Sequence, residues 1–87
     1  MTMKHVTILY FASAKEATLV SEEQMSFNQE NLNQLIECCV KRYPKLQNMI
    51  HQCIFSVNLE FVSKEDAQAL LIQDQDEIAF IPPVSGG

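Results

Sequence analysis

The sequence predicts a two-layer α+β domain in which one main helix lies across a mixed sheet of four or five strands. Three observations predict it. Short runs of alternating apolar residues stand near both ends of the chain, one stretch between them switches to helical period, and the order is strand, strand, helix, strands. A length of 87 residues allows one domain, residues 1–87, and leaves no room for a second. A domain of this size buries a modest share of its surface, so a deep enclosed active site is not expected, and a partner is expected to supply any pocket.

The elements follow in order. His5 to Phe11 reads as a strand, with Val6, Ile8 and Tyr10 alternating with Thr7, Leu9 and Phe11. Both sets are largely apolar, which predicts a strand covered on both faces. Ala12 to Ala17 is a helical turn or loop. Glu22 to Phe27 is a second strand, near enough to the first to form a hairpin. Leu32, Leu35, Ile36, Cys39, Val40 and Tyr43 then fall on one stripe of an α-helix. Asn31 is placed to cap it, with Gln34 completing a capping box, and Pro44 ends it. Lys45 to Gln52 has room for a short second helix on Leu46, Met49 and Ile50. Cys53 to Asn58 is a strand, Phe61 and Val62 a short return strand, and Ser63 to Ile72 a connection with a helical turn. Asp74-Gln75-Asp76 is a turn, and Glu77 to Ile81 is the last strand. With the first and last strands parallel and adjacent at the centre, this is the order of the β-grasp, or ubiquitin-like, fold.

Composition excludes several functions. The net charge is −5, and six Lys plus Arg residues are scattered along the chain. No basic face is available for nucleic acid or an anionic membrane, although an acidic face can meet a basic partner. No apolar run approaches the ~20 residues that span a bilayer. The N-terminal Met1-Thr2-Met3-Lys4-His5 has no signal-peptide layout, so a cytoplasmic location is expected. Cys38, Cys39 and Cys53 are odd in number and form no CxxC, which points to reduced thiols and not to disulfides or zinc. Cys39 lies on the helix stripe and Cys53 in a strand, so both read as core thiols. His5 and His51 sit in no motif, and no residue stands out as a metal ligand, acid or base. Asp74, Asp76 and Glu77 form an acidic group near the tail, readable as a solvated turn or as a dock for a basic partner.

The end of the sequence carries the chemistry. Pro82-Pro83-Val84-Ser85-Gly86-Gly87 follows the last strand, and the chain's only two glycines are its last two residues. The prolines lack N–H groups and fix φ, so they end the strand and hold the chain extended. Residues 82–87 are expected to form a flexible tail, which at ~3.3 Å per residue reaches roughly 20 Å beyond the sheet. Val84 offers an apolar grip, and Gly86 and Gly87 pass through a narrow channel. The result is a bare terminal acyl carbon on a reachable stalk. Such a carboxylate becomes reactive as an acyl-adenylate, from which a sulfur nucleophile displaces AMP and leaves a thiocarboxylate.

The segment Asp76-Glu77-Ile78-Ala79-Phe80-Ile81-Pro82-Pro83-Val84-Ser85-Gly86-Gly87 closely resembles the small, sulfur-carrying subunits of molybdopterin synthase. Val6-Thr7-Ile8-Leu9-Tyr10-Phe11-Ala12 with Lys15-Glu16, the helix end Arg42-Tyr43-Pro44, and Val57-Asn58 resemble the same family, so the likeness runs the length of the chain. The family usually has Gly where this chain has Gln75, and often Asn-Gly where it has Asn58-Leu59. Both differences bear on turns that favour positive φ.

The resemblance implies a carrier that is not an enzyme by itself. An enzyme resembling the ubiquitin-activating enzymes adenylates the terminal glycine with ATP and Mg²⁺, and sulfur is installed there. The tail then enters the large subunit of molybdopterin synthase, where the sulfur passes to cyclic pyranopterin monophosphate. Two loaded carriers are used per product, in a heterotetramer. Carried over, Gly87 holds the sulfur, Gly86 lets it through, and Pro82, Pro83, Val84 and Ser85 position the tail. Phe80 and first-strand residues are expected to line the partner-facing side of the sheet. No permanently bound cofactor is implied. The rival readings are a sulfur carrier for thiamine or tRNA thiolation, a ubiquitin-like protein modifier, and an interaction domain with an inert tail. Pro-Pro-Val-Ser before Gly-Gly favours the molybdopterin pathway.

Overall fold

In the computed structural model, which describes residues 3–83, β1 (Lys4–Tyr10) buries Val6, Ile8 and Tyr10 and leaves Thr7 and Leu9 half-exposed. The strand is therefore covered on one face and not on both, a correction to the expectation drawn from its apolar composition. β1 pairs antiparallel with β2 (Glu22–Phe27), whose Met25 and Phe27 join the same buried side. Between them α1 (Ala12–Thr18) closes one end of the core through Ala14 and Thr18. Its C-cap Leu19 is left-handed, and Leu19 N–H donates to Lys15 O at 2.7 Å.

α2 (Leu32–Arg42) forms as its stripe predicts, with Leu32, Leu35, Ile36 and Cys39 buried. Asn31 Oδ1 accepts from Gln34 N–H at 2.9 Å, and Gln34 Oε1 accepts from Asn31 N–H at 3.0 Å. This capping box satisfies donors that helix geometry leaves unpaired, worth about 1 kcal/mol. Pro44 stops the α-helix and opens a 3₁₀ helix (Pro44–Asn48) that buries Leu46, the short second helix allowed for at Lys45 to Gln52, begun one residue earlier and ended before Met49. β3 (Ile54–Val57) and β4 (Glu60–Val62) form a hairpin, and Ser63 caps the short α3 (Lys64–Ala67) by accepting from Asp66 N–H at 3.1 Å.

β5 (Glu77–Ile81) completes a five-stranded sheet of order β2-β1-β5-β3-β4, parallel to β1 and antiparallel to β3. The predicted central pairing of first and last strands is present. α1, α2, the 3₁₀ helix and α3 all contribute to one apolar cluster against a single face of the sheet. Its fully buried side chains include Tyr10, Phe27, Leu32, Leu35, Ile78 and Phe80, each worth about 1.5–3 kcal/mol relative to exposure.

The end of the sheet where β5 begins is tied by a polar clasp. Asn58 Nδ2 donates to Asp76 Oδ1 at 2.8 Å, Asn58 Oδ1 accepts from Glu77 N–H at 2.9 Å, and Asp76 Oδ2 accepts from Gln73 N–H at 2.7 Å. Gln75 N–H donates to His5 O at 2.7 Å and Thr7 N–H to Asp76 O at 3.0 Å. The turns flanking this clasp require left-handed backbone without glycine: φ is 51° at Asn58, 71° at Leu59 and 72° at Gln75. A Cβ at such a position costs energy that glycine avoids. We therefore expect Gln75→Gly to stabilise the domain by about 1 kcal/mol, seen as a higher urea midpoint at unchanged slope. A lower midpoint would contradict the left-handed turn.

Candidate functional site

The tail leaves from the middle of the sheet. β5 is paired on both edges up to its end, Tyr10 lying opposite Phe80 and Ile54 opposite Ile81. Phe11 N–H donates to Phe80 O at 3.2 Å, adding a tie just past the end of β1. Pro82 is buried and Pro83 is exposed, so the stalk leaves the packed domain at Pro83, one residue later than the expected start of the tail. Neither proline has an N–H to leave unpaired where the ladder ends. Val84, Ser85, Gly86 and Gly87 lie outside the described residues.

Phe80 is not on a partner-facing surface. Its side chain is fully buried, with ring centroids 5.2 Å from Tyr10 and 5.1 Å from Phe55. Tyr10 in turn packs edge-on against Tyr43 at 5.8 Å, so a row of aromatic rings crosses the core from the C-cap of α2 to β3. The physical reason is register. Phe80 sits opposite Tyr10 and Phe55, both core-facing, and strand alternation sends its neighbours Ala79 and Ile81 to the other side. Tyr10 is held by its hydroxyl, which donates to Glu23 Oε2 at 2.7 Å, while Arg42 lies 3.5 Å from Glu23 Oε1. Burial, reinforced by the acidic neighbours, keeps the Tyr10 hydroxyl protonated and able to donate.

The residues that the sequence reading missed, Ile54, Phe61 and Ile81, lie on the opposite face, together with the first-strand residues Leu9 and Phe11 that it did expect on a partner-facing side. Among the described residues no helical element contributes a core residue there; Phe11, Ile54 and Phe61 are exposed and Leu9 and Ile81 half-buried, an apolar stripe across four strands with buried Ser56 and Ala79 between them. Phe61 is 76 % exposed, Ile54 51 % and Phe11 47 %. Phe61 pairs with Ser56, Ser56 with Ala79, and Ala79 with Leu9, while Ile81 pairs with Ile54. The stripe ends where Ile81 runs into Pro82. The signal was present in the sequence as the apolar outer set of β1, there attributed to a second covered face. A contiguous apolar surface beside an exiting stalk is characteristic of a docking surface.

Other candidates lose their claims. The acidic group precedes β5 and so stands at the far end of a five-residue strand from the tail, about 17 Å away. Asp76 is buried in the clasp, and only Asp74 is a solvated turn residue. The bond from His5 N–H to Asp74 Oδ1, at 2.7 Å, holds the Asp74 carboxyl below the usual carboxylate range. Cys39 and Cys53 are buried, as their places on the helix stripe and strand predict. Burial, partly opposed by the Tyr10 hydroxyl, pushes the Cys39 thiol up to about 12, and burial alone raises Cys53. His5 and His51 are exposed. Among the described residues no helix is long and apolar enough to cross a membrane.

A ubiquitin-like β-grasp domain whose central strand continues into a proline-stiffened stalk is the class that this fold and site define. The chain belongs to the ThiS family, whose sequence pattern matches residues 8–87. It is 45 % identical over 83 residues to the molybdopterin synthase sulfur carrier subunit of Homo sapiens, covering 94 % of this chain and 93 % of the human one. The solution structure of small archaeal modifier protein 1 from Methanosarcina acetivorans superposes with a TM-score of 0.82 at 25 % identity, over the whole of both chains. A chain in the complex of subunits 1 and 2 of the molybdopterin-converting factor from Helicobacter pylori superposes with a TM-score of 0.64. At 22 % identity, over 95 % of this chain and 99 % of that one, it shares the fold.

Two predictions separate core from surface chemistry. Phe80→Ala removes the central ring of the aromatic row and should lower unfolding free energy by about 3–5 kcal/mol, whereas Ile81→Ala on the open face should cost about 1 kcal/mol. Equal costs in thermal or urea unfolding would place Phe80 outside the core. For the thiols, a raised pKa means that neutral thiol dominates below that value. At pH 8, Cys39 carries on the order of one thiolate in ten thousand. Native protein at pH 8 should therefore resist iodoacetamide at Cys39 and Cys53, and replacing Cys38, Cys39 and Cys53 with Ser, Ala and Ala should leave sulfur transfer near normal. Loss of transfer in a well-folded triple variant would assign the thiols a role.

Proposed function

We propose that this chain is a sulfur carrier of molybdenum cofactor biosynthesis and that the sulfur rides on Gly87 as a thiocarboxylate. The observation that carries the proposal is that β5, paired on both edges, runs through buried Pro82 to exposed Pro83, after which the sequence continues Val84-Ser85-Gly86-Gly87. A strand paired on both edges fixes the base of the stalk, the prolines stiffen it, and Gly86 and Gly87 present an acyl carbon with no side chain to obstruct it. The likeness to the human sulfur carrier subunit supports the same assignment.

The chemistry follows from the terminus. A carboxylate oxygen of Gly87 attacks the α-phosphorus of ATP, pyrophosphate leaves, and a mixed anhydride with AMP results. This step belongs to a ubiquitin-activating-like adenylyltransferase that binds ATP and Mg²⁺ as its own substrates. A sulfur nucleophile then adds to the acyl carbon and expels AMP. In the thiocarboxylate so formed, sulfur is the nucleophile toward cyclic pyranopterin monophosphate, displacing an oxygen substituent there to give a thioester between Gly87 and the pterin; water then attacks the acyl carbon, leaving the sulfur on the pterin as a thiol and the carboxylate on Gly87. The pocket for that transfer lies in the large subunit of molybdopterin synthase, and two carriers serve each product in a heterotetramer. The stripe Leu9, Phe11, Ile54, Phe61 and Ile81 is the surface on which such partners dock, because it ends where the stalk departs. Glu22 and Glu77 flank it and favour a basic rim on the partner. Cytoplasmic operation fits this role.

A second reading, a ubiquitin-like protein modifier, draws on the likeness to the archaeal modifier, because an acyl-adenylate can also be captured by a lysine amine.

Incubation with the adenylyltransferase, ATP and a sulfur source should add ~16 Da to the intact chain, the difference between oxygen and sulfur in the acyl group. Deleting Gly87, or adding one Ala after it, shifts the acyl carbon by about 3.5 Å and should abolish both the mass gain and pterin thiolation. Both variants should fold normally, since neither touches the core. Sulfur on the extended variant, or sulfur mapping to a cysteine, would overturn the proposal. Covalent conjugates in extracts that survive reducing agent would favour the modifier.

A further inference from the structure

We infer that a groove on the helical side of the molecule is a second docking site, fitted to an acidic, amphipathic peptide segment of a partner protein. The groove runs between α2 and the segment Ile50–Phe55, and it encloses about 560 Å³. That lies within the ~300–1,000 Å³ typical of sites that hold ligands. Ile36, Val40, Ile50 and Phe55 give it an apolar lining. Lys41 and Lys64 stand on its rim with one carboxylate, Glu37. Lys64 Nζ donates to the carbonyl of His51, which holds its charge over the groove.

Charge complementarity selects the occupant. The chain has eleven acidic and six Lys plus Arg residues, so most of its surface repels an acidic segment. The ion pair found among the described residues joins Arg42 to Glu23, which leaves Lys41 and Lys64 without a carboxylate partner within 4.0 Å. Two ammonium groups against the single carboxylate of Glu37, beside an apolar floor, suit leucine-like anchors flanked by carboxylates. The groove is open along its length, as a peptide needs, and not closed around a small molecule. Phe55 faces the core side of the sheet, so the groove and the stripe Leu9, Ile54, Ile81 lie on opposite layers. A peptide held there leaves the stalk at Pro83 free, while His51 and Lys64 also border a neighbouring cavity lined by Ile54 and Phe61.

The test uses the full chain and a fluorescein-labelled synthetic peptide with leucines along one side and glutamates along the other. It should bind, with amide shift changes in α2 and Ile50–Phe55, and bind more weakly as salt rises. A lysine-for-glutamate version of the peptide should not bind. Lys41→Glu, on an exposed helix position, combined with Lys64→Gln should weaken binding about tenfold, and Lys41→Glu alone severalfold. Lys45→Glu makes the same charge change as Lys41→Glu outside the groove and should weaken binding less than about twofold. Failure to bind, an equal loss with Lys45→Glu, or shifts confined to Leu9, Phe61 and Ile81 would overturn the inference. Self-association abolished by Lys41→Glu would also overturn it, because a second copy would then be the occupant.

Discussion

The structure depends on the placement of β5 between β1 and β3. Parallel pairing on one edge and antiparallel pairing on the other hold its backbone along its length, and Phe80 locks its register between Tyr10 and Phe55. A slip of one residue would expose Phe80 and bury Ile81, so the aromatic row fixes the register as well as contributing to stability. The stalk inherits this. Pro82 follows directly on this doubly paired strand and is itself buried.

The sheet has one dry face and one open face, and the division follows from size. An 87-residue chain has enough helix to cover one side and no more. The apolar residues left on the other side are costly for a monomer, yet they surround the exit of the stalk. The rigid anchor at Phe80 and the adhesive stripe around Ile81 are successive residues of one strand, separated in role by the alternation of the pleat.

The backbone carries positive φ at both ends of the sheet, at Ala12 (48°) and Leu19 (66°) about α1 and in the turns at the other end. Asn58, Leu59 and Gln75 all hold positive φ without the glycine that such turns favour. The clasp through Asn58 and Asp76 offsets this with hydrogen bonds to both the turn and the start of β5. The tight packing of β5 therefore tolerates imperfect turns.

Much of this was legible in the sequence because the signals are local. The stripe from Leu32 to Tyr43, the capping pair Asn31 and Gln34, the stop at Pro44, and the alternation of β2 are set by contacts a few residues apart. The stalk was legible too, since proline stiffness and glycine bareness are properties of single residues. The family likeness extended these to the class of protein. What the sequence left open depends on which element covers which face. Leu9 and Phe11 read as buried because apolar side chains look the same in a core and in a docking surface. Phe80 was assigned to the surface because nothing local says which way a strand of apolar residues faces. Asp76 was grouped with the tail because five residues look close in sequence and span the sheet in space. Only the pairing of β5 with β1 and β3 turned Phe80 inward and Ile81 outward, and only the absence of a helix over that side left the stripe open.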